Sequence, residues 1–346
     1  QHAERAVGRA PKTAAFWSNL SEMLRRRGLL TRALTAAKQA VALDAAQEQG
    51  WSNLAAIEHE RQNFADAEKA VRNALKLDMG NARNWNLLGN VLARLQRDEE
   101  AHAAYAEALR LRPQFADAMV NDALCWRDAG VFDEALKRLN EALLIQPQHV
   151  NAHVARAVVY FLKGDVTRGR VEYEWRLRLP EILPSKAPGQ RWRGEDIAGK
   201  HLLLLAEQGL GDVIQTCRYI AALQTRGVGA LTLHVPRALR QLLADNFPDV
   251  KVTSSLSDCD GIDFHCGVMS LPLLLEGASP TDAAPQMAYL TVPAERAEAW
   301  VQKFAHLKGR KIGLVWAGNA TYQSDHMRSM RADLLQPLLD LPDCHF

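Results

Sequence analysis

The sequence predicts an all-α solenoid of helical repeats followed by an α/β unit built on a parallel sheet. Two observations carry this. In the first half, tryptophan recurs at Trp17, Trp51 and Trp85, 34 residues apart each time, with other residues in the same register. After about residue 200 the helical period gives way to short apolar runs that alternate with helical patterns.

The chain has 346 residues, 48% hydrophobic and 24% charged, with a net charge of +2, the balance of an ordinary globular protein. Up to Arg178 there are 26 basic and 22 acidic residues, and beyond it 16 and 18. Neither part has the basic excess that phosphate-backbone binding needs, which argues against nucleic acid as a partner. Apolar runs such as Leu202–Ala206 are far too short to span a bilayer, and the N-terminal stretch lacks a signal-peptide core. Cys125, Cys217, Cys259, Cys266 and Cys344 are odd in number and lack CxxC spacing. They read as reduced thiols of a cytoplasmic protein, not as a disulfide or zinc framework.

The repeat register is kept at many positions. Leu20, Leu54 and Leu88 recur at 34, as do Ala33, Ala67, Ala101 and Ala135, and Ala6, Ala40, Ala74, Ala108 and Ala142. Pro113 and Pro147 close two units. This is the period and pattern of the tetratricopeptide repeat, a helix–turn–helix unit. Small alanines let the paired helices approach, and a proline stops the second helix. The third unit, Asn84–Pro113, fits best; the fourth is Phe115–Pro147. A degenerate fifth, Val150–Arg178, has Arg176 in place of a small residue and reads as a cap turning into the next domain. Ala6 and Pro11 match the end of a unit, so the chain is expected to begin inside a longer array. The array, residues 1–178, is expected to offer a groove to a protein or peptide, or else to act as a spacer or dimerisation scaffold. Asn53, Asn86, Asn121 and Asn140 are polar groove candidates, although such side chains are commonly just solvated.

Residues 179–199 read as a linker rich in proline and glycine, with Trp192 pinning it to one domain. HLLLLAE is a buried strand, VIQTCRYIAALQTRG a helix and ALTLHV a second strand. PRALRQLLADN follows as a helix, VKVTSS and DFHCG as strands, SLPLLL as a helix start and YLTV as an extended piece. AERAEAWVQKFAHL is an amphipathic helix and KIGLVWAGN a further strand. Residues 200–308 form the first α/β domain and 309–346 begin a second.

Ligands in open α/β sheets sit at the carboxyl ends of strands. The turn Glu207-Gln208-Gly209-Leu210-Gly211-Asp212 lies there, and Gly209 and Gly211 leave room for close approach. It lacks the third glycine of a dinucleotide fingerprint, and no acidic residue ends the second strand, where His234 and Val235 stand. Asp212 fits two roles, a helix N-cap or a ligand-facing carboxylate.

The segment LLAEQGLGDVIQTCRYIAAL resembles the first strand–turn–helix of bacterial heptosyltransferase-like enzymes, glycosyltransferase family 9. The layout as a whole resembles a bacterial group that joins tetratricopeptide repeats to such a domain. Its marks stand here in order: Tyr173-Glu174-Trp175-Arg176, Trp192 with Gly194 and Glu195, EQGLGD, GLVWAGN, and the pair Arg328-Ser329. The resemblance implies a Rossmann-like half of the glycosyltransferase B (GT-B) fold, with Asp212 as catalytic base and a nucleotide-sugar as donor. The acceptor would be a protein or surface polysaccharide recruited by the repeats. Neither a metal nor another cofactor is implied. Gln208 and Gln215 flank Asp212 and suit an acceptor, and Arg218 lies one turn further on, placed to meet an acidic group. Asn319, Arg328 and Ser329 match the donor-phosphate region; the alternative for Arg328 is a surface ion pair. Asp325 and His326 are too few to specify a metal. The strands that would complete a donor domain do not follow, which leads to the expectation of a fragment or of a chain without transfer activity. The alternative function is a non-catalytic interaction scaffold.

Overall fold

The computed structural model describes residues 2–275, 289–318, 325 and 328–346. Its first half is a stack of antiparallel helix pairs. Helix α1 (His2–Arg9) precedes α2 (Ala14–Arg26) and α3 (Leu30–Leu43). Then come α4 (Glu48–Glu60) with α5 (Phe64–Leu77), α6 (Ala82–Arg94) with α7 (Asp98–Leu111), and α8 (Ala116–Asp128) with α9 (Phe132–Ile145). The last pair is α10 (Val150–Leu162) and a shorter α11 (Val166–Tyr173), which runs into a 3₁₀ turn at Glu174–Arg178.

The periodic residues are the ones that make this stack. Ala33, Ala67, Ala101 and Ala135, and Ala40, Ala74, Ala108 and Ala142, are wholly buried where paired helices meet. A Cβ on Gly89 would stand 2.4 Å from the Tyr105 ring, so only glycine lets that ring lie across α6. The tryptophans tie the starts of three units, while Met119 stands in that register in the fourth. Their indole N–H groups donate to the carbonyl six residues back, Trp17 to Pro11 (2.7 Å), Trp51 to Ala45 (2.9 Å) and Trp85 to Met79 (2.9 Å). In the degenerate unit His153 occupies the same register, and its Nε2 lies 2.9 Å from the carbonyl of Pro147, again six back. The turn inside each pair needs a left-handed residue. Gly28, Gly130 and Gly164 provide it at φ of 71°, 78° and 79°, while Gln62 and Gln96 fill the same register at 63° and 60°.

First helices of neighbouring units touch one another, α2 with α4, α4 with α6, α6 with α8 and α8 with α10, whereas the second helices have no comparable contacts. The first helices therefore form the inner row of the curve. Asn53, Asn86 and Asn121 lie on it and Asn140 on the second helix α9, and all four are engaged with one another or with neighbours. Asn53 is buried and donates to Ser18 O and Ser21 Oγ, Asn121 donates to Asn86 Oδ1 (3.0 Å), and Asn140 Oδ1 accepts from Arg156 (2.8 Å).

The α/β unit holds a five-stranded, all-parallel sheet. Its strands are β1 (Gln190–Arg191), β2 (His201–Leu205), β3 (Ala230–His234), β4 (Lys251–Thr253) and β5 (Phe264–Gly267), in the order β1-β5-β2-β3-β4. The chain moves outward from β2 through β3 to β4, then returns to place β5 on the other side of β2. The order therefore switches direction between β2 and β5. The central strand is buried on both faces. Leu202 and Leu204 join a core with Val213, Ile220, Leu223, Leu239 and Leu243. Those residues come from helices α12 (Leu210–Thr216), α13 (Ile220–Thr225) and α14 (Arg237–Asn246). Leu203 and Leu205 pack instead with Cys259 and, from the linker, Leu183 and Ala187.

Several expectations are adjusted. The linker is part of the domain: Trp192 is buried in the helix-side core, and Gln190 and Trp192 add an edge to β5. The single helix expected over Val213–Gly227 is broken by a 3₁₀ turn at Cys217–Tyr219. There Thr216 Oγ1 bonds the carbonyls of Asp212 and Val213, a pattern that bends helices. Of SLPLLL only α15 (Leu271–Leu274) is helical. Helix α16 (Ala294–Lys303) forms where the amphipathic pattern predicts, yet it buries no side chain among the described residues. The strand expected over KIGLVWAGN shrinks to β6 (Arg310–Lys311), paired in parallel with β7 (Cys344–His345). Val315 beyond it is 95% exposed. The helix expected over RADLLQPLLDL is a 3₁₀ turn, Ala332–Leu335, followed by α17 (Gln336–Leu339). No described helix is long and apolar enough to cross a membrane.

Candidate functional site

The switch between β2 and β5 opens a crevice at the carboxyl ends of these strands, the usual ligand position in such sheets. A cleft of about 340 Å³ lies there. One wall is the loop and helix after β2, with Gln208, Asp212, Gln215, Thr216, Arg218 and Tyr219. The opposite wall comes from the last repeat, with Val158 and Phe161 of α10 and Arg170 and Tyr173 of α11. Met269 and Pro272, after β5, line it as well. The site therefore belongs to both halves of the molecule.

The loop is held by unusual means. Gln208 adopts φ 64°, a left-handed conformation that costs a non-glycine residue energy and is concentrated at functional sites. Its side-chain amide donates to the Tyr173 hydroxyl on the repeat wall. Asp212 is not the N-cap of α12; Gly209 is. Asp212 stands at the third helical position, and its Oδ2 accepts the Gly209 N–H at 2.9 Å. One carboxylate oxygen thus closes the turn, and the residue still lines the cleft. Gly209 and Gly211 shape the turn but do not line the cleft, whereas Gln208, Asp212 and Gln215 are brought together there.

Beneath the loop a buried ionic cluster rivets the halves together. Arg176 is 1% exposed and forms a two-pronged pair with Glu207, whose side chain is wholly buried, with both bonds at 2.8 Å. Arg176 also donates to Glu174 Oε1 (2.7 Å) and Ser270 Oγ (2.9 Å), and Glu207 Oε1 accepts the Met269 N–H (3.0 Å). Burial works against the charge of Arg176, and the hydrogen bonds and charges of Glu207 and Glu174 together outweigh it, so its pKa lies above the ordinary value. A Cβ on Gly267 would come within 2.1 Å of Glu207 Oε1, so glycine at the end of β5 admits this carboxylate. The sequence marks Arg176 as a departure from the repeat; its partner Glu207, 31 residues away, carries no spacing signal.

Burial raises the pKa of Tyr173 and of Tyr219; at Tyr219 the charges of Arg170 and Arg218 oppose that rise. All five cysteines are free, and burial pushes Cys217 up to about 12. A thiol so disfavoured as thiolate is a packing residue, not a nucleophile. His265 is engaged by the Pro188 carbonyl, and burial lowers the pKa of His234.

The donor-phosphate candidates lie elsewhere. Asn319 and His326 fall outside the described residues. Arg328 pairs with Asp325 Oδ1 at 3.0 Å, and Ser329 Oγ donates to Asp325 Oδ2 at 2.8 Å and accepts the Gly318 N–H. Neither Arg328 nor Ser329 lines the cleft beside Asp212. Among the described residues no group of three or more histidine, cysteine or acidic side chains is placed to hold a metal.

Family models of the tetratricopeptide repeat match residues 1–48, 82–115 and 127–178. The helical half is a tetratricopeptide-repeat array. Over 262 residues the chain is 28% identical to Protein FlbA of Caulobacter vibrioides, a match covering 68% of this chain and 44% of FlbA. The chain thus spans less than half the length of that relative. Among solved structures it is similar to YrrB, described as a tetratricopeptide-repeat protein with an unusual peptide-binding site. The identity is 21% and the TM-score 0.40, over 52% of this chain and 94% of that one. It is also similar to a thermophilic repeat protein of Thermus thermophilus, at 18% identity and TM-score 0.45, over 49% and 93%.

Proposed function

We propose that the protein is an interaction scaffold that holds a peptide or protein segment along the inner row of first helices and delivers one end of it to the cleft beside Asp212. The observation that carries this reading is continuity. The row α2, α4, α6, α8 and α10 ends at Val158 and Phe161, and these same residues form a wall of the cleft. Repeat solenoids use such inner surfaces for extended partners. The test is hydrogen exchange on the full chain with a peptide selected from an array. Protection of first-helix amides in consecutive units is expected; protection confined to second helices, or none, overturns the reading.

A second reading has its own observation. Gln208, Asp212 and Gln215 converge at the sheet's switch point, the position at which the resemblance to heptosyltransferase-like enzymes puts an acceptor and its base. In that reading Asp212 takes the acceptor's proton while a nucleotide-sugar bound near Asn319, Arg328 and Ser329 loses its sugar, within a GT-B arrangement. Asp212→Asn would then reduce transfer from a nucleotide-sugar panel at least about a hundredfold. Unchanged transfer by a folded variant removes Asp212 as base.

A further inference from the structure

Arg170 and Arg218 enter the cleft from its two walls, one from the repeats and one from the sheet unit. Among the described residues neither forms an ion pair with a carboxylate. Arg218 lies over the Tyr289 ring at 4.8 Å, and among the described residues its buried Nε has no hydrogen-bond partner. A guanidinium that lines a formed cleft with no carboxylate partner among the described residues suits an anionic acceptor. The two arginines are close enough to the Tyr219 hydroxyl for both charges to act on it. Among the described residues the charged side chains lining the cleft are these two and Asp212, one of whose oxygens is already bonded to Gly209. The balance is one positive charge in excess. Around it stand groups that suit hydroxyls, the amides of Gln208 and Gln215 and the phenol of Tyr219. Phe161, Met269 and Pro272 supply apolar surface. The volume is at the lower end of small-molecule sites, about 300–1,000 Å³.

We propose that this cleft binds a small hydroxylated ligand bearing an oxyanion, a carboxylate or a phosphate, gripped between Arg170 of the last repeat and Arg218 of the sheet unit. The guanidinium fork matches either oxyanion, and hydrogen bonds to a charged acceptor are the strong ones. The inference uses the cleft of the previous section but not transfer at Asp212, since binding is read with no donor present.

Isothermal titration of the full chain with a hexose phosphate, the matching hexuronic acid and the parent hexose tests it. At least one charged probe is expected to bind about tenfold or more tightly than the neutral hexose, and the two charged probes separate phosphate from carboxylate. Arg218→Gln and Arg170→Gln should each weaken the charged probe about tenfold or more, and Arg218→Lys should weaken it less. Thermal unfolding of each variant checks that the fold is kept. Equal binding of hexose and its charged derivatives overturns the proposal. So does undiminished binding of the charged probe by folded Arg218→Gln and Arg170→Gln, or no binding of either charged probe at millimolar concentration. If transfer at Asp212 fails while charged probes bind through both arginines, the oxyanion site stands alone.

Discussion

The two halves of this molecule are stabilised in different ways. In the repeat array nearly every structural contact joins a helix to its partner or to the next unit, and the same contact recurs at 34 residues: a buried alanine, a tryptophan tied six residues back, a left-handed turn residue. In the sheet unit each contact occurs once. Leu202 and Leu204 meet helices far along the chain, Leu203 and Leu205 meet the linker, and Glu207 meets Arg176 of the array. The first kind of structure is a sum of similar local terms. The second rests on contacts that each occur once, and loses more when one piece is removed.

The largest test of that contrast is Arg176→Ala. It leaves Glu207 buried without its cation, which costs about 3–5 kcal/mol. Hydrogen exchange should show β2, β5 and the 207–212 loop losing protection, while α4 to α7 keep theirs. Equal loss in both regions would mean that the halves fold as one cooperative unit. A smaller effect is expected for Gly89→Ala, whose Cβ would meet the buried Tyr105 ring. Overpacking there should cost about 1–3 kcal/mol in urea unfolding, read locally in α6 and α7, with the sheet unit unmoved. The smallest effect has the opposite sign. Gln96→Gly should relieve the positive φ and stabilise the array by about 1 kcal/mol, bringing that turn to the state Gly130 already has. A destabilised Gln96→Gly would show that the glutamine side chain contributes something the backbone does not reveal.

How legible each half was follows from the same contrast. The array could be read because one packing solution is written repeatedly. His153 performs the tryptophan's task with a different side chain, which its bond to Pro147 reveals and no spacing predicts. In the sheet unit the apolar run HLLLLA predicts the buried parallel strand that forms, since four successive leucines suit a strand covered on both faces. The apolar run in KIGLVWAGN also predicts a strand, yet among the described residues it pairs only at Arg310 and Lys311. Hydrophobicity gives a strand's preference; a neighbour has to be present to realise it. Of the cleft, the loop wall of Gln208, Asp212 and Gln215 was visible in the motif. The repeat wall of Phe161, Arg170 and Tyr173 was not, because no spacing relates a residue of α11 to one after β2. Asp212 shows a third limit: spacing identified its helix end but not that Gly209 takes the cap and leaves Asp212 to close the turn.

The segment between the halves has a mechanical consequence. Leu183 and Ala187 serve as the second layer of the sheet, and Trp192 is sunk in its core. A connector used in this way belongs to the sheet unit, and the buried Arg176–Glu207 pair joins the last repeat to it. Successive repeats then stand at stepwise greater distances from the mouth of the cleft, like graduations on a ruler whose zero is Phe161. Inserting or deleting one 34-residue unit upstream would slide every graduation by one step while leaving the zero where it is.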